Sequence, residues 1–133
     1  NNLTTSTQLE QLTGSATYVR TAGTAPVAIG NSALNPITIN TFELGVDFTN
    51  QTIFGASIGM TDSQGVDLTL SQDAPVTASP SFTLSMSGNY GVIAEGALSG
   101  HFVGKSAQGI AYSFVGGNGD RDRIQTSGLM QPQ

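Results

Sequence analysis

From residue 14 onward, apolar and polar residues alternate with the period of a strand whose two faces meet different surroundings. Phe42, Leu44, Val46 and Phe48 fall on one face, and Glu43, Gly45 and Asp47 on the other. After a turn at 49–51 the pattern resumes in Phe54, Ala56, Ile58 and Met60. Val66, Leu68 and Leu70 then alternate with Asp67 and Thr69, and Phe82, Leu84 and Met86 with Thr83 and Ser85. One long face runs through Val92, Ala94, Gly96, Leu98, Gly100 and Phe102, opposed by Glu95, Ser99 and His101. Ile110, Tyr112 and Phe114 follow, then a weaker run from Ile124 to Met130. The first strand, 14–20, is the faintest, with Ala16 and Tyr18 on its inner face.

Turn-forming clusters separate these runs at 62–65, 74–80, 88–91, 104–109 and 116–120. The pattern predicts about eight strands, most of them joined by short connections. The exception is the span 22–36, rich in Ala, Pro and Gly, which reads as a long connection. Ile37 and Ile39 are out of phase with Phe42 and Leu44, and a bulge near Asn40 and Thr41 reconciles them. An antiparallel meander with one apolar face closes most simply by curling until its last strand meets its first, which removes both edges. The expected fold is therefore all-β, a small soluble barrel with an apolar interior. A two-sheet β-sandwich is the alternative, because alternation alone does not distinguish closure from stacking. Residues 1–13 are polar, with room for a helical turn around 8–12, and read as an arm leading into a single barrel domain over 14–133.

Composition narrows the class. Charged residues make up 10% of the chain, well below the globular average, while Gly reaches 17. Disordered chains lack apolar residues but carry high charge, and this chain does not. Its Gly/Thr/Ser richness suits short strands and tight turns, as in secreted β proteins. With 4 basic residues and a net charge of −5, it has no basic stripe for nucleic acid and no attraction to an anionic membrane surface. No apolar run approaches the length of a membrane helix. A membrane barrel would need aromatic girdles and a polar lumen, and the chain has no Trp and 7% aromatics. It also has no Cys, which removes disulfides, thiolate metal sites and thiol catalysis. No signal peptide precedes Asn1, so the expectation is a mature product or a piece of a longer protein.

Few residues offer chemistry. His101 is the only histidine, set on the polar face of a strand without a second histidine or a clear Ser/Asp partner. Asp62, Asp67 and Asp73 lack the spacing and closing glutamate of a calcium loop, and read as turn and strand-face carboxylates. Glu43 and Asp47 share a face ~13 Å apart along an extended strand, too far for a glycosidase pair that needs about 5–9.5 Å. Asp120-Arg121-Asp122-Arg123 reads as a self-paired hairpin tip. The glycines at 116–119 precede neither a helix nor Lys-Ser/Thr, so they do not form a phosphate cradle. Asn2-Leu-Thr and Asn50-Gln-Thr match the glycosylation acceptor pattern, a weak signal in isolation. No catalytic, cofactor-binding or metal-binding residue is assigned.

The most specific string is Gly96-Ala-Leu-Ser-Gly-His-Phe-Val-Gly104, followed by Lys105-Ser-Ala107 and Gly109-Ile-Ala-Tyr-Ser-Phe114. It resembles the closing hairpin of transferrin-binding-protein-B-like barrels, with their Gly-x-Phe-x-Gly-x-x-Ala followed by a glycine- and aromatic-bearing strand. Phe82–Gly88 with Asn89, and Val46-Asp-Phe48, are similar to strands of that family, so the resemblance spans roughly 41–130. Similar barrels occur in FecR-associated proteins. The resemblance implies an eight-stranded barrel on the bacterial surface, secreted or in the periplasm. The chain lacks the lipidated cysteine and the partner-binding loops of those surface lipoproteins, so no ligand carries over residue by residue. The function expected is a non-enzymatic extracytoplasmic module that binds a macromolecule or serves surface presentation, its partner a protein or copies of itself. A structural subunit of an extracellular filament and a lipocalin-like carrier are the alternatives.

Overall fold

The computed structural model describes residues 3–29, 35–65, 67–88, 95–117 and 123–133. Its elements are α1 (Ser6–Glu10), β1 (Ser15–Gly23), β2 (Val27–Ile29), β3 (Thr38–Asp47), β4 (Thr52–Thr61), β5 (Asp67–Gln72), β6 (Val76–Thr77), β7 (Ser81–Gly88), β8 (Glu95–Val103), β9 (Gly109–Gly117) and β10 (Arg123–Pro132). The eight long strands pair antiparallel in the order β1-β3-β4-β5-β7-β8-β9-β10, and β1 pairs with β10 from Tyr18↔Pro132 to Gly23↔Gly128. The meander is thus a closed barrel, not a sandwich. Val66, Val92 and Ala94 of the expected strand faces lie outside the described residues.

Period two explains the interior. Leu44, Val46, Ile58, Met60, Leu70, Leu84, Met86, Leu98, Ile110, Phe114, Ile124 and Met130 are all buried and form one cluster. Phe102 gathers aromatic neighbours at one end, with ring centroids 6.0 Å from Tyr18, 5.4 Å from Phe82 and 6.3 Å from Phe48. Gly100 makes room for these rings, since a Cβ there would sit 2.5 Å from Phe82 Cζ. Among the described residues, bulky apolar side chains converge on the enclosed space, whereas a lipocalin-like carrier needs an open lumen.

Three local features differ from the alternation. The expected bulge at Asn40 is present: register shifts between Ile39 and Thr41 opposite Met60 and Gly59. A second shift, between Glu43 and Gly45, places an extra residue in β4, where Gly55 has φ +66. That bulge turns Ile53 inward and Phe54 outward, so Phe54 does not share the face of Ala56, Ile58 and Met60. The connections at 22–36 and 74–80 also hold β2 and β6. Each continues an earlier strand after a break: β2 stays on β10 beyond β1, and β6 stays on β4 beyond β5. Each resumes at one of two occurrences of the same tripeptide, β2 at Ala25-Pro26-Val27 and β6 at Ala74-Pro75-Val76. Proline has no N–H to give the ladder, and the valine after it restarts the pairing.

The N-terminal segment is less detached than its polarity suggests. Thr5 caps α1 in a reciprocal arrangement with Gln8, and Leu9 is buried within the core cluster. Thr4 N–H donates to the Phe102 carbonyl at 2.9 Å and its hydroxyl to the Gly104 carbonyl at 2.5 Å. The arm therefore covers the end of the barrel where Phe102 lies.

Candidate functional site

With these apolar side chains directed inward, the outer wall is a surface available to a partner. Across strands β8, β9, β10 and β2, one row of paired residues reads Ala97, Val115, Gln125 and Val27. Arg123 and Ile29 pair in the next row. Val27, Ile29 and Val115 are 51%, 49% and 40% exposed, an apolar group on a wall otherwise lined by hydroxyls and amides. They line an open cleft of about 480 Å³ with Thr24, Gln125 and Ser127. A second cleft, of about 450 Å³, shares Val115 and carries Asp73, Glu95 and Arg123. The combination is an apolar centre with a charged margin.

This wall is held in place by the break between β1 and β2. Thr24 N–H donates to the Ser127 carbonyl at 2.8 Å, and Ser127 N–H returns a bond to Thr24 Oγ1 at 3.2 Å. The buried Thr126 hydroxyl donates to the Thr24 carbonyl at 2.7 Å. Thr24 is thereby pinned to β10, and Val27 and Ile29 follow with their side chains outward.

The residues weighed in the sequence are dispersed. His101 does have a serine partner: Nδ1 lies 2.6 Å from Ser81 Oγ, directly across the β7–β8 ladder. The sequence hides this pair because it depends on strand register. A serine beside a histidine is half of a nucleophile–base arrangement. Among the described residues no carboxylate bonds the other ring nitrogen, and the pair sits exposed on the wall.

Asp62 Oδ1 accepts from Gln64 N–H at 2.8 Å, Asp67 from the Thr61 hydroxyl at 3.0 Å, and Asp73 from the Ser87 hydroxyl at 2.5 Å. Each carboxylate thus serves a turn or a ladder, and no metal-holding group of His, Asp or Glu occurs among the described residues. Asp47 accepts from Asn50 through Nδ2–H at 2.7 Å and through the backbone N–H at 3.1 Å. The side-chain bond first, then the backbone bond, holds its carboxyl below the ordinary value. Asn50, of the second glycosylation pattern, is therefore engaged in its own turn. Asn2, Asp120, Arg121, Asp122 and the glycine cluster beyond Gly117 lie outside the described residues.

The apolar group on the wall was missed in the sequence, although Val115 left a signal. It follows Ala111 and Ser113 on the polar-phase face of β9, where alternation calls for another small or polar residue. Val27 and Ile29 were hidden within the supposed connection.

Neither a protein-family model nor a curated protein sequence matches the chain. Among solved structures, the chain is similar to transferrin binding protein B, isotype 1, from serogroup B Neisseria meningitidis. The superposition has a TM-score of 0.64 at 18% identity and covers 98% of this chain. It covers 27% of the other, so this chain spans about a quarter of that protein's length. The likeness to that family noted in Gly96–Phe114 extends to the fold as a whole: this chain has a barrel fold similar to that of transferrin binding protein B.

Proposed function

We propose that the chain is a non-enzymatic, extracytoplasmic barrel module of a bacterial envelope or surface protein, and that it binds another protein through the β9–β10–β2 wall. The observation that carries this reading is the exposed group Val27, Ile29 and Val115, in which Val115 joins two clefts and Asp73, Glu95 and Arg123 lie at the margin. Apolar anchors inside a polar rim are the usual anatomy of a protein interface. The similar barrel belongs to a protein whose name records transferrin binding, which supports a protein partner and an extracytoplasmic location. The apolar packing of the interior among the described residues favours the wall as the working surface.

The test is site-specific photocrosslinking from Val115, with Thr69 on the far side of the barrel as control, in an extracellular protein mixture. The expected result is one protein crosslinked from Val115 alone. In purified form it should bind saturably, and Val115→Lys should weaken it by about tenfold or more. Equal crosslinking from both positions, or binding unaffected by Val115→Lys, would overturn the assignment to this wall. Hydrolysis of an activated ester that Ser81→Ala abolishes would overturn the non-enzymatic part.

A further inference from the structure

The barrel is closed along only part of its β1–β3 junction. β1 pairs with β3 from Ser15↔Asp47 to Val19↔Glu43, and there the ladder ends. Beyond it β1 stays with β10. β3 continues back to Thr38 with β4 on one side and, among the described residues, no strand on the other. The two strands part over an open cleft of about 290 Å³, lined by Arg20, Ile39, Asn40, Thr41, Phe42 and Glu43 with Val19 at the junction.

The two edges facing this seam are treated differently. On the β2 side, Ala28 N–H donates to Asn35 Oδ1 at 2.9 Å and Asn35 Nδ2–H donates to the Ala28 carbonyl at 3.2 Å. One carboxamide thus stands in for a neighbouring strand. On the β3 side no such side chain is present among the described residues. Asn40 turns its amide away, to Thr61 Oγ1 at 2.5 Å.

Arg20 supplies the second observation. It follows Tyr18 on the inward phase and reaches the interior, where Nε–H donates to the Tyr112 hydroxyl at 3.0 Å. Nη2–H donates to the Thr24 carbonyl at 3.3 Å. Both acceptors are neutral. Arg20 is half-buried, lines the cleft and has no carboxylate partner among the described residues. A partly desolvated guanidinium gains most from a carboxylate that engages its remaining donors in parallel.

We propose that this seam receives an extended peptide segment laid along the free edge of β3, with one carboxylate on Arg20. Main-chain bonds to the open edge provide the affinity of strand addition, and the guanidinium fixes the register. Glu43 at the junction end and the chain's net charge of −5 disfavour a run of acids, so a single carboxylate is specified. It can come from an acidic side chain or from a chain terminus. The cleft shares no lining residue with the clefts of the β9–β10–β2 wall, and the site stands whether or not that wall binds protein.

The probes are acetyl-Thr-Val-Glu-Val-Thr-amide, its Gln counterpart, and an all-neutral peptide with a free C-terminal carboxylate, each titrated into the isotope-labelled chain by NMR. The expected result is saturable shifts in the amides of residues 38–42 and in Arg20 Nε–H. The Glu peptide should bind about tenfold more tightly than the Gln peptide, a difference lost in Arg20→Gln and partly restored in Arg20→Lys. Binding of the free-terminus peptide would assign the carboxylate to a chain end, and binding of the Glu peptide alone to a side chain; either supports the site. The comparison of Glu with Gln is made on the unaltered protein, so it does not depend on how the variants fold. No saturable shift at millimolar peptide, or affinity for the neutral Gln peptide equal to that for both carboxylate-bearing peptides, would overturn the proposal. So would shifts centred on Val27 and Val115, which would instead favour the outer wall.

Discussion

Gly45 and Phe54 pair across the β3–β4 ladder, and the phenylalanine ring lies over the glycine on the outside of the barrel. A Cβ built on Gly45 would meet Phe54 Cζ at 2.7 Å, and one built on Gly100 would meet Phe82 Cζ at 2.5 Å. Similar distances should have different consequences. Phe54 is 43% exposed and can swing into solvent, whereas Phe82 is buried against Phe102. Gly100→Ala should therefore cost about 1–3 kcal/mol through overpacking. Gly45→Ala should stay within about 0.5 kcal/mol, because the lost ring contact is offset by the reduced backbone entropy of the unfolded chain. Urea unfolding of the two variants checks the contrast, and equal losses would refute it.

The strand faces were legible because most inward positions from Phe42 to Met130 carry an apolar residue in phase, with the buried Thr126 a polar exception. The breaks in phase trace to single backbone events. Gly55, at φ +66, shifts the phase between Phe54 and Ala56, and alternation cannot see a bulge within an apolar run. Pro26 and Pro75 read as turn residues, although each interrupts a strand that then resumes. The candidate sites were less legible for a physical reason. The Ser81–His101 pair, the Val27–Val115 group and the seam beside Arg20 are all defined by which strands lie side by side, and register is not written in any one segment.

Tyr18 ties the barrel wall to a turn. Its buried hydroxyl donates to the carbonyl of Ala107, a residue held at φ +53. Burial pushes the phenol pKa up to about 12. Tyr18→Phe should leave that carbonyl unsatisfied and cost about 1–3 kcal/mol. The raised pKa also sets an alkaline signature. Tyr18's contribution is full below the unfolded value of about 10. Above it the unfolded state ionises first, so this contribution falls as pH rises toward the folded value of about 12. Stability measured from pH 9 upward should decline less steeply in Tyr18→Phe than in the unaltered chain.

At the other extreme of pH, Asp47 is held below its ordinary value by the side-chain amide of Asn50 and then by its backbone N–H. A depressed folded value means that this contribution is present above the unfolded carboxylate pKa and is lost as pH falls through the folded one. Asn50→Ala removes the stronger cause, so the Asp47 titration should move up toward the ordinary range. Carboxyl carbon shifts followed by NMR read this directly. An unmoved midpoint would show that the backbone donors alone set it.

Leu9 makes the N-terminal arm part of the barrel's stability. The side chain is buried, and its removal leaves a space at the covered end. Leu9→Ala should cost about 2–4 kcal/mol by lost burial and cavity formation. Thr5→Ala should cost about 1 kcal/mol through the lost cap of α1. Thermal unfolding of both variants should rank them in that order. A shift within error for Leu9→Ala would mean that the arm lies over the barrel without supporting it.

Asn35 should keep the free edge of β2 from pairing. Its Oδ1 and Nδ2 satisfy both backbone groups of Ala28, the positions that a further strand would use. Asn35→Ala withdraws both bonds and should speed amide exchange at Ala28 by about tenfold, the equivalent of about 1.4 kcal/mol. The uncovered edge should also produce association that rises with protein concentration in sedimentation velocity. Asn35→Asp separates the two roles: it keeps an acceptor for the Ala28 N–H but sets a carboxylate oxygen against the Ala28 carbonyl. Exchange at Ala28 should then stay slow while stability falls through the repelled carbonyl. If Asn35→Ala leaves both Ala28 exchange and sedimentation unchanged, the carboxamide follows the strand edge without guarding it.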